Sequence, residues 1–230
     1  MAMANKTWYF REPTSKLADV YNILHLPYTA MALSIVLAGA AAAPVLHADR
    51  VAGALAAYFF GLGFGAHALD QLEPRGSHYV EKLSRSDLAI IGVMGLGLGV
   101  AIGLYFALTV SLLLIPLIAA GAFFAVAYTL PSRAAGGLFH NSLSFSFSWG
   151  SLPFFTSYYV NSLSLSATAI AGCLLAGLAA WCEIRLSRRS RAMRKSGAPD
   201  SALGGIEWKL KALVAATCAA SLVVTLFRLT

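Results

Sequence analysis

His67 and Asp70 stand three residues apart in the segment GLGFGAHALDQLEPRG, and on a helix that spacing puts an imidazole and a carboxylate on one face. Such a pair can pass a proton to or from a bound molecule, or supply two ligands to a divalent metal. The alternative is a satisfied pair, with His67 hydrogen-bonded to Asp70 or an arginine neutralising the carboxylate. Further along, Tyr128, Pro131 and Arg133 close the segment AYTLPSR, while His140 and Asn141 open FHNSLSFSFSWGSLPFF. Asn141, Ser144, Ser148 and Ser151 form one helical stripe, which either lines a pocket or hydrogen-bonds neighbouring helices. Glu183 is followed closely by Arg185, Arg188 and Arg189. Guanidinium groups so placed anchor a helix to anionic headgroups, or bind a phosphate in the mouth of a bundle.

The elements that must position these groups are apolar. The chain of 230 residues is 58% hydrophobic and 12% charged, and no Asp, Glu, Lys or Arg occurs from Leu88 to Ser132 or from Ala134 to Cys182. Each of those runs is long enough for two membrane spans of about 20 residues. The apolar windows are Leu26 to Leu46, Val51 to Leu69, Leu88 to Leu108, Leu112 to Leu130, Phe139 to Tyr159, Ala167 to Cys182 and Leu210 to Phe227. They predict an all-α, polytopic transmembrane bundle of about seven spans in a single domain, 1–230, with 196–205 a flexible cytoplasmic loop before the last span, 210–227.

Charge gives an independent test, because cytoplasmic loops are enriched in Lys and Arg. With the N-terminus inside, fifteen of the seventeen basic residues fall on the cytoplasmic side and only Arg50 and Arg228 on the other. The C-terminus is then outside. The first twenty residues lack the apolar core of a cleavable signal and are expected to be retained. Basic residues at the ends of apolar spans set orientation, so the net charge of +7 does not indicate nucleic acid. Cys173, Cys182 and Cys218 lie in apolar surroundings without a metal-ligand spacing and read as packing residues. The glycine runs GLGFG and GLGLG lack a strand-turn-helix context and read as close helix packing rather than nucleotide binding.

The order of these features resembles the UbiA-type intramembrane prenyltransferases over roughly residues 20–190. The shared features are an HLP entry to the first span (His25, Leu26, Pro27), a polar motif at the inner end of the second, the Tyr128, Pro131, Arg133 exit from the fourth, and Glu183 at the inner end of the sixth. The resemblance implies a UbiA-like fold with its last two spans missing. It also implies a membrane lipid or prenyl diphosphate as partner, and magnesium held by two Asp-rich motifs. Against those motifs the chain has Ala66, His67, Asp70 and Pro74 at the first, and Glu183, Ser187 and Arg191 at the second. Two routes remain open on this reading. Arg133, Arg185 and Arg188 neutralise the diphosphate, or His67, Asp70 and Glu183 form one metal site with His140 as a further ligand. The expected catalytic residues are thus Asp70, His67 and Glu183, and the expected substrate-binding residues are His25, Tyr128, Arg133, His140, Asn141, Arg185 and Arg188. The competing expectation is a non-catalytic lipid-binding or assembly protein. The sequence does not specify the oligomeric state.

Overall fold

The computed structural model describes residues 8–73, 79–130 and 137–229. Arg133, Pro131 and Pro74 lie outside them. Among the described residues every regular element is helical: α1 (Lys16–Ile23), α2 (Leu26–Ala42), α3 (Ala48–Asp70), α4 (Arg85–Thr109), α5 (Leu114–Thr129), α6 (142–162), α7 (Ala167–Lys195) and α8 (Asp200–Leu229). Four of these, α3, α4, α7 and α8, are long and apolar enough to cross a membrane, and α1 with α2 makes a fifth if that pair, bent by 43°, is one span. All seven apolar windows fall on helix, but α2 and α5 have only 17 and 16 residues, and α6 carries the serine-rich segment. In the most apolar stretches of α4 and α8 only 17% of residues are buried within the protein. Their outer faces carry side chains such as Ile90, Val93, Leu222 and Val223. Uncovered apolar faces of that extent need an apolar solvent, and the chain is an integral membrane protein.

Small residues set the closest helix contacts. A Cβ built on Gly95 would lie 2.7 Å from the Gly65 nitrogen and 2.8 Å from the Phe60 carbonyl oxygen, so α3 and α4 touch backbone to backbone. The two glycine runs therefore work as a packing seam, as the sequence indicates. Within this seam α3 is π-helical over Phe59–Ala66. The extra residue per turn rotates everything that follows, including His67 and Asp70, relative to a regular helix.

The short α1 acts as a clasp at the end of the bundle where the ionisable groups gather. Its Asp19 is fully buried and its carboxylate accepts from the backbone N–H groups of Glu81, Lys82 and Leu83, at 2.5 to 3.0 Å. All three donors meet Oδ2, while Oδ1 is buried without a partner. Asn22 accepts from the Arg11 N–H at 2.9 Å and donates to the carbonyls of Arg11 and Tyr79, at 2.9 and 3.2 Å. The N-terminal segment and the entry to α4 are thereby tied to one helix. Ser84 and Asp87 then start α4 with a capping box.

The expected loop 196–205 is shorter than the sequence implies. α8 begins at Asp200, so Gly204 and Gly205 are helical, and the break is confined to 196–199, where Gly197 has φ 68°. Two helical glycines cost roughly 1 kcal/mol each. Tertiary anchoring offsets that: Ile206 is buried, and Glu207 meets Arg194 in an ion pair and accepts from the Ser190 hydroxyl at 3.3 Å.

Candidate functional site

Five helix ends and two segments outside the helices enclose a polar cavity of about 210 Å³. The end of α3 contributes His67 and Asp70, and the junction of α1 and α2 contributes His25 and Tyr28. α5 ends there with Tyr128 and Thr129; α6 brings Phe145 and Trp149. α7 contributes Glu183, Ser187, Arg188 and Arg191, while Tyr9 and Tyr79 close the cavity from outside the bundle.

His25 breaks α1 from α2. Its backbone is left-handed, φ 44° and ψ 49°, and Pro27 sits in the first turn of α2. The Thr29 hydroxyl donates to the Leu24 carbonyl, satisfying an acceptor that the break exposes. The imidazole is 6% exposed and stands edge-on to His67, with ring centroids 4.5 Å apart. Phe10 packs on it at 5.1 Å and stacks on Tyr79 at 3.9 Å, so the N-terminal segment and Tyr79 form an aromatic cover. The Nδ1 atoms of both His25 and His67 are buried without a hydrogen-bond partner. A backbone carbonyl nevertheless lies close to each ring, that of Ile23 by His25 and that of Gly63 by His67, so neither imidazole is without polar company.

His140 stacks on Tyr128, centroids 4.6 Å apart, with Nδ1 2.8 Å from the Tyr128 carbonyl oxygen. A carbonyl only accepts, so Nδ1 carries the proton there, and in the neutral ring Nε2 is left as an acceptor. Arg188 donates to Ser142 at 3.1 Å and to the Tyr128 hydroxyl at 3.4 Å. Arg191 donates to Ser187 at 2.7 Å, and Ser187 in turn accepts from Tyr28 at 3.1 Å. Among the described residues neither guanidinium is within ion-pair distance of a carboxylate. Hydroxyls orient both groups without neutralising them, and most of their five N–H donors remain for a ligand.

The structure thus gathers His25, His67, Asp70, Tyr128, His140, Glu183 and Arg188 at one cavity. Two expected residues stand elsewhere. Arg185 is exposed and lies over the Trp181 ring at 5.1 Å, because its position on α7 is turned well away from Glu183. Asn141 caps α6, accepting from the N–H groups of Leu143 and Ser144, both at 2.9 Å; a side chain committed to an N-cap is withdrawn from a ligand. Arg133 is outside the described residues. The serine stripe is broken by a π-helical turn at Phe147–Ser151. Besides Ser142, which accepts from Arg188, the α6 hydroxyls of Ser146 and Ser151 donate to the Gly177 and Cys173 carbonyls of α7.

Arg191, Ser187 and Tyr28 join the site beyond the residues expected to form it. The signal for two of them is the spacing Glu183, Ser187, Arg191, one residue per helical turn along α7. Among the described residues no three His, Cys, Asp or Glu side chains come together as a set that could hold a metal ion.

A second, apolar groove of about 100 Å³ lies between α3, α4, α5 and α6. Its lining runs from Arg50 to Leu62 on α3, roughly 18 Å at 1.5 Å per residue, and includes Gly99, Gly103 and Gly121. Trp149 is common to the linings of the groove and the polar cavity. A polar chamber and an apolar channel that share a wall suit an amphiphile.

Comparison of the chain with family models, with curated proteins and with solved structures finds no match.

Proposed function

We propose that this protein binds an isoprenoid or similar lipid with an anionic phosphate head, and carries out prenyl-group chemistry as a divergent UbiA-like protein of seven spans. The N-terminus and the polar cavity are cytoplasmic, and the C-terminus lies on the other side. The observation that carries the reading is Trp149, which lines both an apolar groove and a polar cavity whose two arginines have, among the described residues, no carboxylate within ion-pair distance. The head lies against Arg188 and Arg191, and the tail runs past Trp149 along α3. In prenyl transfer the bond between the allylic carbon and the phosphate oxygen breaks, and its electron pair leaves with the phosphate. The two guanidiniums stabilise that charge. The acceptor bonds to the allylic carbon and gives its proton to Asp70 or His67, which share the cavity wall.

A second reading, in which the fold binds lipid without transforming it, accounts directly for the carboxylates missing from the Asp-rich motifs, of which only Asp70 and Glu183 remain. Purified protein assayed with prenyl phosphates and diphosphates separates the two. Turnover that falls at least about tenfold in Asp70→Ala supports catalysis. Binding unchanged in Asp70→Asn, without turnover in either protein, supports the carrier. Failure of both wild type and variant to bind any prenyl compound contradicts both readings.

A further inference from the structure

Resting on that reading, we infer that the polar cavity is built for a single phosphate monoester on the lipid, held by Arg188 and Arg191 without a metal ion. The charges decide between one phosphate and two. Among the described lining residues the fixed charges are two guanidiniums and two carboxyl groups, Asp70 and Glu183, beside the imidazoles of His25, His67 and His140. With both carboxyls neutral and the imidazoles uncharged, these described groups offer two positive charges. A monoester carries about −1.5 to −2 at neutral pH and is matched. A diphosphate carries more, and its excess needs a further cation, for which the described residues provide no donor set.

The geometry agrees. Arg188 and Arg191 are three residues apart on α7 and present their guanidiniums to the same cavity. Each is oriented by a hydroxyl from its own or a neighbouring helix: Ser187 for Arg191, Ser142 and Tyr128 for Arg188. Pre-oriented forks spend little entropy on closing around a tetrahedral anion. Around them His25 and Tyr28 complete a lining of hydrogen-bonding groups. Arg185, two residues from Glu183, faces outward and takes no part.

The test uses the full-length protein in nanodiscs of neutral lipid, with geranylgeranyl monophosphate, geranylgeranyl diphosphate, geranylgeraniol and inorganic phosphate titrated separately, in EDTA and in magnesium. In EDTA the monophosphate should bind at least about tenfold more tightly than the alcohol, and no more weakly than the diphosphate. Arg191→Gln should weaken it about tenfold, Arg191→Lys less, and Arg185→Gln not at all. If Arg191→Gln does not purify as a monodisperse species, Arg188→Gln carries the same expectation. Binding of the diphosphate only in magnesium, unaffected by Arg191→Gln, overturns this inference while leaving the lipid reading intact. Absence of binding by all three prenyl compounds overturns the reading beneath it. Inorganic phosphate binding as tightly as the prenyl monophosphate assigns the site to free phosphate, and overturns the lipid part.

Discussion

A Gly95→Val variant is expected to lose the packed bundle, with a destabilisation of about 3 kcal/mol or more and little protein surviving detergent extraction as a monodisperse species. The atoms that a side chain would strike are the Gly65 nitrogen, the Phe60 carbonyl oxygen and the Gly65 Cα, at 2.7, 2.8 and 3.1 Å. Backbone cannot rotate aside as a flexible side chain can, so α3 and α4 must separate along the seam. That separation would unseat the π-helical stretch of α3, which leads directly into His67 and Asp70. The matched control is Gly97→Ala. It lies two residues away, with nothing within 4 Å of the added carbon, and alanine's better helix propensity makes it neutral or slightly stabilising. Thermal unfolding of the two variants in one detergent checks both expectations. Equal stability would contradict the packing described for this seam.

The second large effect concerns the clasp between α7 and α8. Arg194 and Glu207 form an ion pair with side-chain exposures of 19% and 12%, and Ser190 adds a hydrogen bond to the same carboxylate. Removing one partner of a largely buried pair typically costs about 3–5 kcal/mol, because the other charge is stranded. Arg194→Met should therefore destabilise strongly, whereas the double variant Arg194→Met with Glu207→Leu should recover much of the loss. The single variant should also loosen the end of α7 that carries Arg188 and Arg191, seen as faster hydrogen exchange over residues 186–195. An additive double variant would show that the two side chains are not coupled.

How much of this was visible in the sequence differs by element. Apolar run length located helices over all seven windows, since a chain solvated by lipid must satisfy its backbone within each segment. The count of spans is another matter: four or five helices meet the length and hydropathy criteria among the described residues, because a short helix such as α5 and a serine-rich one such as α6 fall short of them. The site was legible as a place. His25, His67, Asp70, Tyr128, His140, Glu183 and Arg188 lie at or near ends of apolar windows, and α-helical rods bring such ends together.

Direction around a helix was harder to read. Arg185 and Arg191 belong to the same basic run, and only their rotation relative to Glu183 separates an outward arginine from an inward one. Asn141 was visible as a polar residue at the mouth, but its preference for capping α6 prevails over a role in the cavity. The π-helical turns in α3 and α6 have no local sequence signature, and they shift the registers on which a stripe argument depends. The aromatic cover was beyond reach for another reason. Tyr9 and Phe10 are brought over His25 by long-range bonds from Asn22, and Tyr79 is held by the same side chain. The helical start of α8 at Asp200 likewise depends on Glu207 finding Arg194, against the local tendency of Gly204 and Gly205.

The most direct test of the central claim is photo-crosslinking with a prenyl monophosphate that carries a diazirine at the far end of its tail, followed by peptide mapping. A head held at Arg188 and Arg191 with its tail beyond Trp149 predicts labels on groove residues such as Ala57, Val100 and Ile118. An excess of unlabelled prenyl monophosphate should suppress them, and Arg191→Gln should reduce them. Labels spread over the lipid-facing side chains Ile90, Val93, Leu222 and Val223, insensitive to competitor and to Arg191→Gln, would contradict the account.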